Sequence, residues 1–340
     1  GRPSHATALD YLINKDAVKN SNTDKQIAPT RKVIQSGMLD YGLLNEENVE
    51  FLKQESIARL SEQGYHVKKD VVYAHWGYMW AVNDKGADAF PVFGKHLKRS
   101  NEKTNLSKGL NKIDLPKAAI NQAGSAQWYD YYTADQDGKP LPKVPQKILD
   151  IIQDHTGIDT SIYDAAIINA YGKNRNLAKH IDNSEDKSAS VIPIISISLL
   201  DDGTFMYSDP NSNPNVSRQT AAKNKIVLKD GQVISFGGKS RFISHRMDVG
   251  NGKTVPINTT TGNINTNRIN ITLRRVMPLT KEEINQWKEN TIKLTEELKS
   301  NQPVTKQNSS QLLSNELTLS EYRKNNFDYN TKFLQKVNEI

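Results

Sequence analysis

The chain has 340 residues, 36% apolar and 24% charged, with a formal net charge of +7 and a pI near 9.2. That is room for one large domain or two ordinary ones, with a real core and long polar loops. The basic excess suits a polyanionic partner such as nucleic acid, or simply a lysine-rich solvated surface. With no cysteine, disulfides, zinc fingers, iron–sulfur clusters and thiol nucleophiles are excluded. Any metal must be held by Asp, Glu and the seven histidines, His5, His66, His75, His96, His155, His180 and His245. No run of about 18 apolar residues exists, so no membrane span or membrane partner is expected. The chain opens GRPSHATALDYL, without the apolar core of a signal peptide. An intracellular, cytoplasmic location is the expectation. The missing initiator Met suggests either a remnant of how the chain was produced or an excised piece of a longer product.

In chain order, residues 1–35 are polar and aperiodic and read as a flexible N-terminal segment. In 45–65, Val49, Leu52, Ile57 and Leu60 recur near helical spacing, which predicts an amphipathic helix ended at Gly64. Residues 70–82, DVVYAHWGYMWAV, are rich in β-branched and aromatic types and predict a strand. Together these make an N-terminal α/β extension over 36–124, within which 84–123 has no assignable pattern. A helical stripe of Val144, Ile148, Ile151 and Ile152 follows a Pro and is closed by Gly157. From 163 the pattern turns to strands: YDAAIINAY, SVIPIISISLL, GQVISFGG and RINITLR, interrupted by a polar loop at 208–225. Short strands with polar turns and a helix outside suggest a β-sandwich or barrel over 125–278. After Pro278, Thr280 and Glu283 have capping-box spacing. A polar linker and a last helical stretch at about 317–338 complete a C-terminal helical appendage, 279–340.

Three features carry chemistry. His180 and Asp182 in HID lie two apart in an extended segment and point the same way. They offer an imidazole and a carboxylate to one metal, and His245, after a strand ending in two glycines, can supply a third ligand. Two histidines and one carboxylate on one face of an octahedral iron leave three positions open. In RINITLR, Ile269, Ile271 and Leu273 share one face; Arg268, Asn270, Thr272 and Arg274 share the other. Unpaired burial of an arginine is too costly to persist, so an inward-facing Arg268 implies an anionic partner. A guanidinium fork matches a carboxylate. Finally, Asn169 and Tyr171 fall on one face of their strand, nine and eleven residues before His180 reading backwards from Tyr171, and are neutral donors suited to carboxylate oxygens.

Taken in order, N-x-Y, H-x-D, H and R-x-N-x-T-x-R resemble the AlkB-like Fe(II)- and 2-oxoglutarate-dependent dioxygenases. The resemblance covers roughly 125–276 and includes INAYGKNRNLAKHIDNSE, PIISISL and GQVISFGGKSRFISH. It implies an α+β fold whose core is a double-stranded β-helix, or jelly roll, with flanking helices. It implies Fe(II) held by His180, Asp182 and His245. It further implies 2-oxoglutarate as cosubstrate, its distal carboxylate on Arg268 with Tyr171 and Asn169 assisting. Asn270 and Arg274 would support its iron-proximal end, with O2 as the oxidant. The cosubstrate would leave as succinate, and an N-methyl group once hydroxylated would leave as formaldehyde.

Many members of the family act on N-alkylated bases in DNA or RNA, which must be single-stranded or flipped to reach a buried metal. The segment QWYDYYTADQDGKPLP resembles the part of the family that lies over the nucleotide, with Tyr129 at an aromatic position near the substrate and Trp128, Tyr131 and Tyr132 beside it. Lys173, Arg175, Lys179 and Arg241 flank the motifs and are candidates for phosphate contacts. One departure concerns the base: where relatives often carry an acidic residue two positions after the iron-binding Asp, this chain has Ser184, then Glu185. The same oxygenase chemistry on a protein side chain or a small molecule is therefore the alternative. A non-catalytic binding module is a third reading, against which the intact metal and carboxylate residues count. The role of the terminal extensions, including any protein partner, and the choice between DNA and RNA are not written in the sequence.

Overall fold

The computed structural model describes residues 31–68, 71–82, 129–132, 142–182, 185–186, 188–210, 224–259 and 262–300. The chain begins with a hairpin, β1 (Lys32–Gln35) and β2 (Met38–Leu43), then helix α1 (Glu46–Gln63), β3 (Tyr65–Lys68), β4 (Val71–Gly77) and β5 (Met79–Val82). After β6 (Tyr129–Tyr132) and helix α2 (Gln146–Thr156) come β7 (Ala165–Tyr171), β8 (Asn176–His180), β9 (Ile194–Leu200) and β10 (Gly203–Tyr207). Next are β11 (Asn224–Leu228), β12 (Gln232–Phe236), β13 (His245–Val249), the hairpin β14 (Val255–Thr259) and β15 (Gly262–Thr266), β16 (Arg268–Arg274) and helix α3 (Lys281–Ser300).

Among the described residues the strands form an eight-stranded sheet ordered β1-β2-β12-β9-β16-β7-β4-β3 and a four-stranded sheet ordered β11-β10-β13-β8, with β14-β15 and β5-β6 as separate pairs. All pairings are antiparallel. From β7 the chain passes repeatedly between β12-β9-β16-β7 and the four-stranded sheet. Two four-stranded sheets wound this way are a double-stranded β-helix, the jelly roll expected from the sequence.

Two apolar clusters flank the larger sheet. On its outer face Leu52, Leu60, Ile148, Ile152, Ile168 and Ile271 pack helices against strands. On its inner face Tyr171, Ile234 and Phe236 meet Phe205, Leu228 and Met247 of the smaller sheet. β16 sits between β7 and β9, and all seven of its residues are buried. Its aliphatic residues face the helices, so its polar residues face the space between the sheets.

Several expected boundaries move. β1 starts within the segment expected to be unstructured. In the N-terminal extension, β1 and β2 continue one edge of the larger sheet and β4 and β3 the other. The strand expected over 70–82 divides at Gly77 into β4 and β5. The C-terminal helix α3 is docked rather than appended. Its capping box forms, with Thr280 N–H donating to Glu283 at 2.7 Å and Glu283 N–H to Thr280 Oγ1 at 3.2 Å. Ile284 and Trp287 join the outer core, and Trp287 Nε1 donates to the Asp159 carbonyl at 3.0 Å. The expected helix at 317–338, residues 84–123 and most of the 208–225 loop lie outside the described residues.

Burial holds His155 of α2 down to a pKa of about 4, against the raising effect of its contact with the Gly42 carbonyl. The unfolded chain protonates this group near pH 6.5, whereas the folded chain does so only near 4. Stability is therefore expected to fall as pH drops through that window. Urea unfolding at pH 7 and pH 5 should show a smaller loss in His155→Gln than in the wild type; equal losses would assign the proton uptake elsewhere.

Candidate metal and carboxylate site

β8 and β13 pair so that His180 and His245 are direct cross-strand neighbours, with ring centroids 4.3 Å apart. Asp182, just past β8, places Oδ1 3.6 Å from His180 Nε2 and Oδ2 3.4 Å from His245 Nε2. One ligand atom from each of the three lies within 4.8 Å of the others, a spacing that one ion can span. His245 is wedged between Phe205 and Phe236, each 5.3 Å away, and its Nδ1 lies 3.1 Å from the Ile243 carbonyl. That bond sets the tautomer and leaves Nε2 toward Asp182. His180 is the open side of the trio, its side chain 31% exposed.

Behind Asp182 lies a network that the sequence reading did not contain. Arg274 Nη2 reaches Asp182 Oδ1 at 3.0 Å and Nη1 reaches Glu185 Oε1 at 2.7 Å. Arg241 donates to the Asp182 carbonyl at 2.7 Å and to Glu185 Oε2 at 3.1 Å. Burial works to raise both carboxyls. Arg274 and the two histidines overcome it at Asp182 and hold it well below the usual range, while Arg274 and Arg241 lower Glu185. Arg241, expected at the phosphates, is 2% exposed and spent inside this network; that assignment is corrected by its burial. Lys173 is exposed, and Arg175 and Lys179 are half-buried.

On the facing wall the register of β16 with β7 sets Arg268 opposite Tyr171 and Asn270 opposite Asn169. Arg268 is fully buried. Its Nη1 donates to the Asp201 carbonyl at 3.1 Å and Nη2 to Ser198 Oγ at 2.7 Å, while Nε has no partner. Among the described residues no carboxylate lies within ion-pair distance of it. Burial drives its pKa down to about 10, despite the raising influence of Tyr171, Asp202 and Asp230. A Cβ at Gly203 would come within 2.7 Å of Arg268 Nε, so only glycine lets the guanidinium lie against β10. Burial, then Tyr73, pushes the Tyr171 phenol well above its ordinary range, so it stays a donor. Asn270 Nδ2 donates to Ser196 Oγ at 2.8 Å and the Ile197 carbonyl at 3.0 Å, and its Oδ1 accepts from Thr272 at 2.9 Å. Asn270 and Arg274 are thus held by protein groups. Ser196 and Ser198, missed in the sequence, alternate with Ile195, Ile197 and Leu199, and the same period-two reading would have found them. Trp128 and Ser184 lie outside the described residues; Tyr129 and Tyr131 are placed on β6 by its pairing with β5, and nothing further of their side chains is described.

The donor set fits a divalent ion, and the buried arginine without a carboxylate fits an acid. A sequence profile described as the 2OG-Fe(II) oxygenase superfamily matches residues 88–274, more than half of the chain. The chain belongs to this superfamily. An oxygenase of this kind uses Fe(II) and 2-oxoglutarate, with O2, and His180, Asp182 and His245 are a cluster that could hold the metal. The chain is 30% identical over 114 residues to the DNA N(6)-methyladenine demethylase ALKBH1D of Arabidopsis thaliana, covering 33% of this chain and 24% of that protein. It is 30% identical over 123 residues to the alpha-ketoglutarate-dependent dioxygenase AlkB of Escherichia coli (strain K12), covering 35% and 53%. The chain thus spans about a quarter to a half of these relatives' lengths. The solved structure of OsALKBH1 superposes with a TM-score of 0.46 at 19% identity, over 72% of this chain and 100% of that one. No helix among the described residues is long and apolar enough to cross a membrane.

Glu185→Ala should leave Arg241 and Arg274 buried without their shared counter-charge, at a cost of about 3–5 kcal/mol. Denaturant unfolding checks this; an unchanged midpoint would mean that the two guanidiniums find other partners.

Proposed function

We propose that this 2-oxoglutarate-dependent dioxygenase oxidatively demethylates N-alkylated bases in single-stranded or flipped-out DNA or RNA. The observation that carries the oxygenase half is Arg268, a buried cation without a carboxylate, across the inter-sheet space from the His180, Asp182 and His245 cluster. The nucleic-acid half is supported by the net charge of +7 and by the activity named for ALKBH1D.

In this reading His180, Asp182 and His245 hold Fe(II) on one face. Arg274 helps keep the Asp182 carboxylate ionised, and Arg241 orients the residue through its carbonyl. Arg268 takes the distal carboxylate of 2-oxoglutarate, with the protonated Tyr171 as a second donor and Asn169 beside it. When bound, the iron and 2-oxoglutarate supply the oxidation of a substrate C–H bond by O2, leaving succinate and carbon dioxide. A methyl group on nitrogen becomes hydroxymethyl, and the C–N bond then breaks to give formaldehyde and the bare N–H. Tyr129 and Tyr131, on β6, are the proposed stacking surface for the base.

Incubation with iron, 2-oxoglutarate and a panel of single-stranded oligonucleotides, each with one N-methylated base, should give a product lighter by one CH2 in mass spectrometry. Succinate without any such product would favour a protein or small-molecule substrate. His180→Ala and Asp182→Ala should abolish succinate formation, and retained turnover would remove the metal site from this trio. Arg268→Ala should raise the dissociation constant for 2-oxoglutarate roughly 10- to 100-fold, as expected for a lost charged hydrogen bond. Arg268→Lys should recover only part, because an ammonium lacks the fork. Isothermal titration with an inert divalent metal reads both, and unchanged binding would move the carboxylate clamp elsewhere.

A further inference from the structure

His75 has no part in the scheme above. It lies on β4, whose Val72, Ala74 and Trp76 belong to the outer core, so strand alternation turns Val71, Tyr73 and His75 to the inner face. The register with β7 is unbroken: Val71 pairs with Tyr171, Tyr73 with Asn169 and His75 with Ile167. Ile167 in turn pairs with Thr272 of β16. The inner wall therefore descends in rungs from Arg268 and Tyr171, through Asn270 and Asn169, to Thr272, Ile167 and His75. The cosubstrate residues occupy β16 and β7; His75 is one strand to their side.

The imidazole is fully enclosed, and neither ring nitrogen has a hydrogen-bond partner. Burial, followed by Arg59 and Arg274, brings its pKa to about 3, so the ring is neutral at physiological pH. A neutral imidazole carries one N–H donor and one lone-pair acceptor. Leaving both unused in the interior is costly, and native structures seldom do so without a reason. Two residues further on, Gly77, at φ +72, turns the chain out of the sheet into β5, which pairs with β6. A residue with Cβ could not follow this turn, since it would meet the Asp164 carbonyl at 2.0 Å. His75 thus stands at the foot of the strand pair β5-β6, on which Tyr129 and Tyr131 lie.

We propose that His75 is a specificity-determining residue that hydrogen-bonds the polar edge of the substrate. The group it fits is uncharged and offers an acceptor and a donor together, as the hydrogen-bonding edge of a nucleobase does. This rests on the proposed function.

The test uses full-length protein with 15N-labelled histidine, Zn(II) in place of iron, 2-oxoglutarate, and a single-stranded DNA carrying one N6-methyladenine. On saturation, monitored by anisotropy, the His75 ring nitrogens, assigned by their absence in His75→Gln, should shift. His75→Phe keeps the ring shape but loses both polar atoms, and should weaken oligonucleotide binding about tenfold. His75→Gln, with an amide donor and acceptor, should recover most of that loss. Binding with silent His75 nitrogens, or a His75→Phe protein that binds like the wild type, overturns the assignment while leaving the proposed function intact. Failure of the wild type to bind or demethylate any methylated oligonucleotide removes both.

Discussion

Strand β16 has to meet two different environments at once, and the rest of the molecule is arranged around that demand. It is hydrogen-bonded along both edges, to β7 and β9. Its aliphatic side chains fill the helix-covered core, and its arginines, Asn270 and Thr272 line the interior between the sheets. A slip of one residue would exchange the two sets. Two guanidiniums would then enter an apolar layer, which no partner there could compensate. The polar residues thus fix the strand's register as well as its chemistry.

The same constraint orders the charges. Arg241 and Arg274 are buried against Asp182 and Glu185, and Arg268 is buried with no carboxylate at ion-pair distance among the described residues. The protein alone therefore carries an excess of positive charge there. A divalent metal enlarges the excess and a dianionic acid reduces it. Binding of the acid is expected to be favoured by the metal, and the metal held more firmly once the acid has arrived, through their mutual attraction in a low-dielectric space. Asp182 stays ionised in so closed a place because Arg274 and the two histidines outweigh the burial that opposes its charge.

Much of this was legible in the sequence because period-two patterns report faces directly. The alternation in 268–274 announced both the strand and its polar side, and the H-x-D spacing announced two side chains on one side. Helix α1 was visible through Val49, Leu52 and Leu60, all buried as the stripe requires. What escaped was non-local. Glu185 stood in plain view beside Ser184, yet only folding brings Arg241 and Arg274 to it from 56 and 89 residues away. Arg241 looked like a surface cation because nothing in its neighbours predicts burial. β8, β10 and β13 were not read as strands; in β13 the exposed Arg246 and half-buried Asp248 alternate with buried residues, and polar residues in these short strands mask the period.

How the N-terminal extension meets the sandwich was not written in the sequence. β1 and β2 extend the larger sheet past β12, β4 and β3 extend it past β7, and α1 runs between them across the outer face, against β4, β9 and β14. One stretch of about fifty residues thus closes both margins of the same sheet. A chain shortened to the oxygenase motifs would bare the hydrogen-bonding groups of β12 and β7 along two long, apolar borders, and such borders recruit other chains. The first strands act as bookends: whatever else their residues do, they keep the sheet that carries the chemistry from growing into its neighbours.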